Sequence, residues 1–239
     1  MKQLSDRIRH LSFSAQITAA LRRFYAHLRE EGIEGLWRRV MFRWSIITRR
    51  DNWRFRADLP TRRALRRQRK NPIPGAPKIS VVVPVYNTPV RFLRQMLNSV
   101  FRQSCPNWQL VLVDASDAAH GRVSRMVRRA ARDARVVCKK IENGGIAANT
   151  TEGFAMADGE YIALLDHDDV LYPNALYEIG KAIVQTGAKI VYTDEIVLSE
   201  NLRHLAAYHF KPDFSPDTLR GCNYIAHLLV FSRALLEQA

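Results

Sequence analysis

The chain has 239 residues, a formal net charge of +14 and an apolar fraction of 47%, which allow one full α/β domain with an appendage. No apolar run approaches the roughly 20 residues of a membrane-spanning helix, and we expect no secretory signal at the amino terminus. Cys105, Cys138 and Cys222 form no CxxC pair and leave one thiol unmatched in any disulfide scheme. This pattern favours a reducing compartment and a cytoplasmic protein.

The positive charge is concentrated in the first third of the chain. Residues 1–70 hold 19 Lys and Arg against 6 Asp and Glu, and residues 71–239 hold 18 against 17, so the two parts carry +13 and +1. Three prolines and one glycine in residues 71–77 cannot continue a helix or a central strand. The sequence therefore predicts a basic arm over 1–70, a Pro-rich linker over 71–77 and a folded domain over 78–239.

The arm has the pattern of amphipathic helices. Apolar residues recur in steps of three and four, arginines occupy the opposite faces, and Gly32 separates two predicted helices of about 15 residues each. A basic face opposite Trp and Phe side chains is typical of a helix that lies in a membrane interface, and the segment 62–70, with six basic residues in nine, extends this surface. We predict an anionic membrane surface as the partner of residues 1–70. Packing on the main domain is one alternative, and nucleic acid is a less favoured one.

From Lys78 onward, predicted strands alternate with predicted helices. A β-branched run predicts a strand over 79–83, and short apolar segments predict further strands over 109–113, 135–141, 160–165 and 189–193. Helical periodicity predicts helices over 90–100, 122–131, 146–157 and 172–185. This alternation indicates βαβ units and an α/β fold with a mostly parallel sheet flanked by helices. In such sheets, ligands bind at the carboxyl ends of the strands.

Polar residues follow the first four predicted strands. These segments are Pro84–Asn87, Asp114–Asp117, Glu142–Gly145 and Asp166–Asp169. Each is a weak signal alone, because Asp114 suits a helix N-cap, Asn143-Gly144 suits an ordinary turn, and Asp169 is expected to help start the next helix.

The sequence Asp166-His167-Asp168-Asp169 carries the stronger signal. Three carboxylates within four residues repel one another unless a cation is present. Oxygen ligands around an open site favour Mg²⁺ or Mn²⁺ that bridges to substrate phosphates. The cluster therefore favours a metal-diphosphate site, with helix capping and solvation as the alternative.

Five motifs, in their order and spacing, resemble family 2 glycosyltransferases of the GT-A fold. They are Ile79–Asn87, Ser99–Gln103, Val113–Asp117, Asn143–Ile146 and Ala157–Asp169. The later segments Phe210–Asp217 and Asn223–His227 are similar to the subgroup that builds rhamnose-rich or O-antigen polysaccharides. The resemblance covers residues 78–239. It implies a Rossmann-like GT-A domain that transfers a sugar from a nucleoside-diphosphate sugar to a saccharide or lipid-linked acceptor in envelope polysaccharide synthesis, at the inner face of the bacterial plasma membrane.

The resemblance also implies roles for individual residues. The donor would be bound by Pro84, Tyr86, Asn87, Asp114, Asp117, Asn143, Gly144 and Asp166. Asp166 and Asp168 would form an Asp-X-Asp pair for Mn²⁺ or Mg²⁺, with Asp168 the direct ligand. Transfer would invert the anomeric centre, and a carboxylate base would take the proton from the acceptor hydroxyl.

The chain departs from the family pattern at two places. Related sequences have an Asn five residues after the position of Ile146, where this chain has Thr151, with Asn149 close by. The family's catalytic base belongs to an acidic motif after the segment that corresponds to 227–237. We therefore expect the base beyond Ala239 and a chain truncated at its carboxyl end, with a catalytically incomplete donor-binding protein as the alternative.

Other polar residues are weaker candidates. Asp194 and Glu195 follow the last predicted strand of the series and could serve as base, although acceptor-side or structural roles fit them better. Lys211 is a candidate phosphate contact, with an ordinary surface lysine as the alternative. His209 and His227 are expected to be structural.

Overall fold

A computed structural model describes residues 59–238 of the chain. The predictions for residues 1–58, including the two amphipathic helices of the arm, lie outside the described residues. The strands are β1 (Ile79–Val85), β2 (Trp108–Asp114), β3 (Val136–Lys140), β4 (Tyr161–Leu164), β5 (Ile190–Tyr192), β6 (Glu195–Leu198), β7 (Leu205–His209) and β8 (Leu229–Ser232). The helices are α1 (Arg62–Lys70), α2 (Val90–Phe101), α3 (Gly121–Ala130), α4 (Ile146–Met156), α5 (Ala175–Thr186), α6 (Pro216–Gly221) and α7 (Arg233–Leu236), with a 3₁₀ turn at Ala118–His120.

Six strands form one sheet in the order β3-β2-β1-β4-β8-β5. β1 to β4 run parallel, and β8 runs antiparallel to both β4 and β5. The predicted α/β fold with a mostly parallel, helix-flanked sheet is confirmed. The largest boundary difference is at α5, which begins at Ala175 rather than at residue 172.

Alternate side chains of the buried strands build two hydrophobic cores. On one face, Val81, Val83 and Val85 of β1 pack with the apolar sides of α2, α3 and α5. On the other face, Val82 joins a smaller core together with residues of α4 and α7. The two-residue period of a strand places successive side chains on opposite faces, and because helices cover both faces, β1 and β2 are mostly apolar. The buried polar side chains Ser80 and Gln109 are hydrogen-bonded to each other.

Helix α1 is attached to the domain by its polar side chains. Thr61 caps the helix by accepting a hydrogen bond of 3.1 Å from the backbone N–H of Ala64. Arg69 Nη2 donates to the carbonyl oxygen of Arg102 over 2.8 Å, and Gln68 Nε2 donates to Glu178 Oε1 over 3.1 Å. The six basic residues of α1 are all exposed.

A two-stranded antiparallel hairpin of β6 and β7 stands apart from the main sheet. Its register pairs Glu195 with His209 at the end where the hairpin meets the residues after β5. Among residues 59–238, no helix is both long enough and apolar enough to cross a membrane.

Candidate functional site

The carboxyl ends of β1 to β4 lie along one edge of the sheet, because these four strands are parallel. The polar residues that follow them form three groups along this edge. One group follows β1 and β2 at the centre, one follows β3, and one follows β4 beside β8.

In the central group, the segment after β1 is tied to the segment after β2. Asn87 Nδ2 donates to Asp117 Oδ2 over 2.9 Å, and the Asp117 backbone N–H donates back to Asn87 Oδ1 over 3.1 Å. Asn87 has a φ of +49°, a left-handed conformation that asparagine tolerates better than most residues. His120 Nδ1 lies 2.6 Å from Asp117 Oδ1. The hydrogen bonds from His120 and Asn87 lower the pKa of Asp117 below its ordinary value.

Asp114 is the buried carboxylate of the central group, with a side chain 3% exposed. It accepts a hydrogen bond of 3.0 Å from the backbone N–H of Ser116, and Lys140 Nζ lies 3.5 Å from its Oδ1. Burial raises the pKa of Asp114, but hydrogen bonds from Ser124 and Ser116 and the charge of Lys140 outweigh burial and leave the pKa below its usual value. Asp114 is therefore held as a charged acceptor at the end of β2, and it does not cap a helix.

The other two predicted residues of the central group differ in accessibility. Pro84 is half-buried within β1, and Tyr86 is 45% exposed just beyond the strand. The central group thus offers a buried carboxylate, a fixed Asn-Asp pair and an accessible aromatic ring at the same edge of the sheet.

The second group is the loop between β3 and α4, and it is fixed by Asn149 from within the helix. Asn149 Nδ2 donates to Asn143 Oδ1 over 3.0 Å, and Asn149 Oδ1 accepts from the Gly144 N–H over 3.2 Å. Asn149 is 2% exposed. Gly145, the residue before the helix, has a φ of +87°, which glycine adopts without strain. Asn149 is not among the residues that the sequence predicts for the site, although its spacing from Asn143 is a usable signal.

The third group joins the end of β4 to the start of β8. Oxygen and nitrogen atoms of Asp166, Asp169 and His227 all lie within 4.8 Å of one another. His227 Nδ1 is 3.4 Å from Asp166 Oδ2 and 3.3 Å from Asp169 Oδ2. The antiparallel register explains the meeting, because Leu164 pairs with Leu229, so the residues after β4 lie beside the residues before β8.

The carboxylates in and around this group repel one another, and the effect is seen at Asp169. Burial is the main cause that raises the pKa of Asp169, and the carboxylates of Asp166, Asp168 and Glu195 raise it further, while His227 lowers it. Two carboxylates and an imidazole that converge in this way have the donor types that bind Mn²⁺, and carboxylates suit Mg²⁺. The residues therefore fit the predicted divalent cation.

Asp169 differs from its predicted role, and Asp168 lies outside the group of converging ligand atoms. Asp169 does not start the following helix, which begins at Ala175 with Asn174 at its N-cap position. The backbone N–H of Asp169 instead donates to the Asp166 carbonyl oxygen over 3.2 Å, which closes a turn after β4. The Asp168 side chain is 55% exposed and lies 3.7 Å from His167 Nδ1, and it is not part of the group formed by Asp166, Asp169 and His227.

The later candidates are packed beside this third group. Lys211 is not a surface lysine, because its side chain is only 6% exposed, and its ammonium donates to the backbone carbonyl oxygens of Ala226 and His227. Glu195 lies 2.8 Å from His209 Nδ1, and Asp194 accepts a hydrogen bond from the Lys211 backbone N–H over 2.7 Å. Glu195 thus pairs with His209 across the hairpin, and Asp194 binds the backbone of Lys211 just after β7.

Comparison with known proteins identifies relatives of this domain. The family model described as glycosyl transferase family 2 matches residues 80–237. An uncharacterized protein, y4gI of Sinorhizobium fredii, is 45% identical over 168 residues, which are 69% of this chain and 18% of that protein. The O-antigen biosynthesis protein RfbC of Myxococcus xanthus is 41% identical over 166 residues, which are 68% of this chain and 13% of that protein. The chain thus spans less than a fifth of the length of these two relatives.

A solved structure shares the fold. The crystal structure of residues 1–349 of Staphylococcus aureus TarS aligns with a TM-score of 0.52 and 17% sequence identity, covering 67% of this chain and 48% of that one. At this identity the likeness concerns the fold, which is of the GT-A type in both proteins.

Proposed function

Because the chain belongs to glycosyltransferase family 2, we propose that its domain transfers a sugar from a nucleoside-diphosphate sugar to a saccharide or lipid-linked acceptor. One observation carries the proposal beyond the family: Asp166, Asp169 and His227 converge at the carboxyl end of β4. Ligands of open α/β sheets bind at this edge. A site for a divalent cation at this edge is what the diphosphate of a sugar donor requires.

The cation would be held by Asp166, Asp169 and His227, with Asp168 exposed next to them. When bound, Mn²⁺ or Mg²⁺ would neutralise the charge that develops on the departing nucleoside diphosphate. The closeness of Asp166 and Asp169 supports this assignment, because two like charges at this distance are costly without a cation.

The nucleoside would be bound by the other two groups. Tyr86 offers an exposed ring for the base, and the buried, charged Asp114 offers an acceptor for hydroxyl or N–H groups. Asn87 and Asp117 hold each other at the same edge, and Asn143 and Gly144 belong to the loop that Asn149 fixes. Pro84 is the penultimate residue of β1.

The chemistry at the sugar would invert the anomeric carbon. A carboxylate would accept the proton of the acceptor hydroxyl while that oxygen attacks from the face opposite the diphosphate. Asp194 and Glu195 are engaged with Lys211 and His209, which favours a structural role for both. We therefore assign the base to neither Asp194 nor Glu195.

We place the reaction in envelope polysaccharide synthesis at the cytoplasmic face of the plasma membrane. The similarity to the O-antigen biosynthesis protein of Myxococcus xanthus supports this process. The six exposed cations of α1 support an anionic membrane surface as partner of residues 1–70. Nucleic acid is a weaker partner, because the carboxylate group at the sheet edge would repel phosphate without a cation.

Calorimetric titration of UDP, dTDP and GDP with and without Mn²⁺ tests the proposal. We expect at least one nucleotide to bind only with Mn²⁺, and Asp166→Asn to weaken this binding at least tenfold. Asp158→Asn is the matched control, because Asp158 pairs with Lys78 at the opposite edge of the sheet. Nucleotide binding that ignores Mn²⁺ or survives Asp166→Asn would contradict the metal site.

Transfer itself is tested with labelled donor sugars and a membrane extract of the source cells. Label that enters saccharide or lipid-linked material supports a transferase. Donor binding without any transfer would favour the alternative of a catalytically incomplete donor-binding protein. Salt-sensitive retention of RNA or DNA, together with no binding of nucleotide in the presence of Mn²⁺, would favour nucleic acid as the partner of the basic arm.

A further inference from the structure

Lys211 is a buried lysine whose ammonium faces main-chain oxygen atoms. Its side chain is 6% exposed, and Nζ donates to the carbonyl oxygens of Ala226 and, over 2.9 Å, His227. Glu195 Oε2, which has no hydrogen-bond partner among residues 59–238, lies 3.6 Å from the same nitrogen. A lysine ammonium has three donors. Two are used by the carbonyl oxygens and the third side faces a carboxylate, so no donor is left for a phosphate.

The segment that Lys211 binds contains His227, whose imidazole faces Asp166 and Asp169. His227 has a φ of +50°, a left-handed conformation that is strained for a residue with a Cβ and persists only when its surroundings enforce it. Its side chain is 48% exposed, so little packing around the ring fixes its direction. The hydrogen bonds from Lys211 to residues 226 and 227 supply the constraint from the main-chain side.

Lys211 is itself fixed from two directions. Its backbone N–H donates to Asp194 Oδ1 over 2.7 Å, and its ammonium faces Glu195 at the start of β6. Glu195 is held at its other oxygen by His209, 2.8 Å away. The β6–β7 hairpin is thereby connected through one buried side chain to the loop before β8.

From these contacts we infer that Lys211 is a positioning residue, which holds the backbone of residues 226 and 227 so that the His227 imidazole meets Asp166 and Asp169 around a divalent cation. The inference rests on the proposed function, because it concerns the same cation site. It gives the Phe210–Asp217 segment a task that the sequence alone did not assign. Removal of partners that orient metal ligands typically lowers metal affinity 10- to 100-fold.

The test is electron paramagnetic resonance of Mn²⁺ bound to the full chain, in protein labelled with ¹⁵N-histidine. Affinity is taken from the loss of the free Mn²⁺ signal, and histidine ligation from the electron–nuclear coupling to nitrogen. The variants are Lys211→Met, which keeps the apolar stem, Lys211→Arg, which restores donors, and His227→Ala. Lys78→Met is the matched control, because Lys78 is also paired with a carboxylate, Asp158, but at the opposite edge of the sheet.

We expect Lys211→Met to weaken Mn²⁺ binding at least tenfold and to lose the histidine coupling, Lys211→Arg to recover part of both, and Lys78→Met to match the wild type. All measurements are made well below the thermal unfolding midpoint of each variant, so that a loss of stability alone leaves both readouts unchanged. If His227→Ala loses the coupling but Lys211→Met keeps it with wild-type affinity, the positioning role is refuted and the cation site stands. If the wild type binds Mn²⁺ without histidine coupling, the inference is refuted and a cation site at the carboxylates stands. If the wild type binds no Mn²⁺, the cation site and the inference are both refuted.

Discussion

The side-chain amide of Asn149, inside helix α4, donates a hydrogen bond of 3.0 Å to the side-chain oxygen of Asn143 in the loop before the helix. The same side chain accepts from the Gly144 N–H, so one buried residue satisfies two partners in the loop proposed to face the donor. The helix thereby fixes the loop from behind.

Asn149→Ala is expected to lower the free energy of unfolding by about 1–3 kcal/mol, because it leaves buried polar groups without partners. We also expect donor-nucleotide affinity to fall at least tenfold, since the loop is released. Thr151→Ala is the control, because Thr151 is exposed and its hydroxyl donates to a carbonyl of its own helix, that of Ala147. Urea unfolding and calorimetry measure the two effects, and equal behaviour of both variants would contradict the role of Asn149.

Gly153 of α4 packs directly against the sheet. A Cβ added there would lie 2.4 Å from Val82 Cγ1 and 3.3 Å from Val113 Cγ2. We expect Gly153→Ala to destabilise the domain by about 1–3 kcal/mol through overpacking. Gly180 is also inside a helix, but its added Cβ would have only Ala76 Cβ at 3.5 Å. Gly180→Ala should be neutral or stabilising by up to about 1 kcal/mol, and urea unfolding that ranks the two variants the other way would refute the packing argument.

Variants of Asp168 and Asp169 distinguish two assignments of the direct metal ligand. The resemblance assigns the direct contact to Asp168, whereas the structure groups Asp169 with Asp166 and His227. We expect Asp169→Asn to weaken binding of Mn²⁺ alone at least tenfold. We expect Asp168→Asn to weaken nucleotide binding in the presence of Mn²⁺, because its carboxylate is exposed next to the proposed cation site. Calorimetry measures both effects. If Asp168→Asn abolishes the binding of Mn²⁺ without nucleotide while Asp169→Asn does not, Asp168 is the direct ligand.

Asp133 gives the domain a pH-dependent contribution to stability. It accepts hydrogen bonds from Arg135 Nε at 3.0 Å and Nη2 at 2.7 Å, and these bonds lower its pKa to about 2. A carboxyl with a lowered pKa contributes stability above its unfolded pKa of roughly 3.9, and this contribution is lost as the pH falls through about 2.

At pH 7 we expect Asp133→Asn to cost about 1 kcal/mol, since the pair is partly exposed. The difference from wild type should shrink between about pH 4 and pH 2. Glu200→Gln is the control, because the side chain of Glu200 is 75% exposed where it pairs with Arg91, and it should have no measurable effect. Thermal unfolding across this pH range measures the difference, and a gap that is constant with pH would exclude the ion pair as its cause.

The exposed cations of α1 predict binding to anionic vesicles. Replacement of Arg62, Arg63, Arg66 and Arg67 by Gln should weaken co-sedimentation with phosphatidylglycerol-containing vesicles at least tenfold, at roughly 1 kcal/mol per cation near the surface. The matched control replaces four exposed arginines of α3, at 122, 125, 128 and 129. Equal losses in both variants would assign the effect to total charge, and equal binding of the wild type to neutral vesicles would refute the electrostatic contribution.

The sequence by itself determined the α/β class and the identity of most elements. The apolar runs of β1 and β2 can be buried only between two layers of helices, so alternation along the chain was sufficient to predict the parallel sheet. It also predicted which polar residues follow each strand, because this depends only on where the apolar run stops. Asp166, Asp168 and Asp169 are therefore recognisable as a group from their spacing in the chain alone.

Only the tertiary structure decided which distant residues join them. Leu164 pairs with Leu229 in an antiparallel register, and this brings His227 beside Asp166, although the two lie far apart along the chain. Local spacing contains no information about that register, so the sequence predicts a structural role for His227 and a phosphate contact or a surface position for Lys211. Asp166, Asp169 and His227 meet because β8 inserts next to β4, which is a property of the packed sheet and not of any one segment.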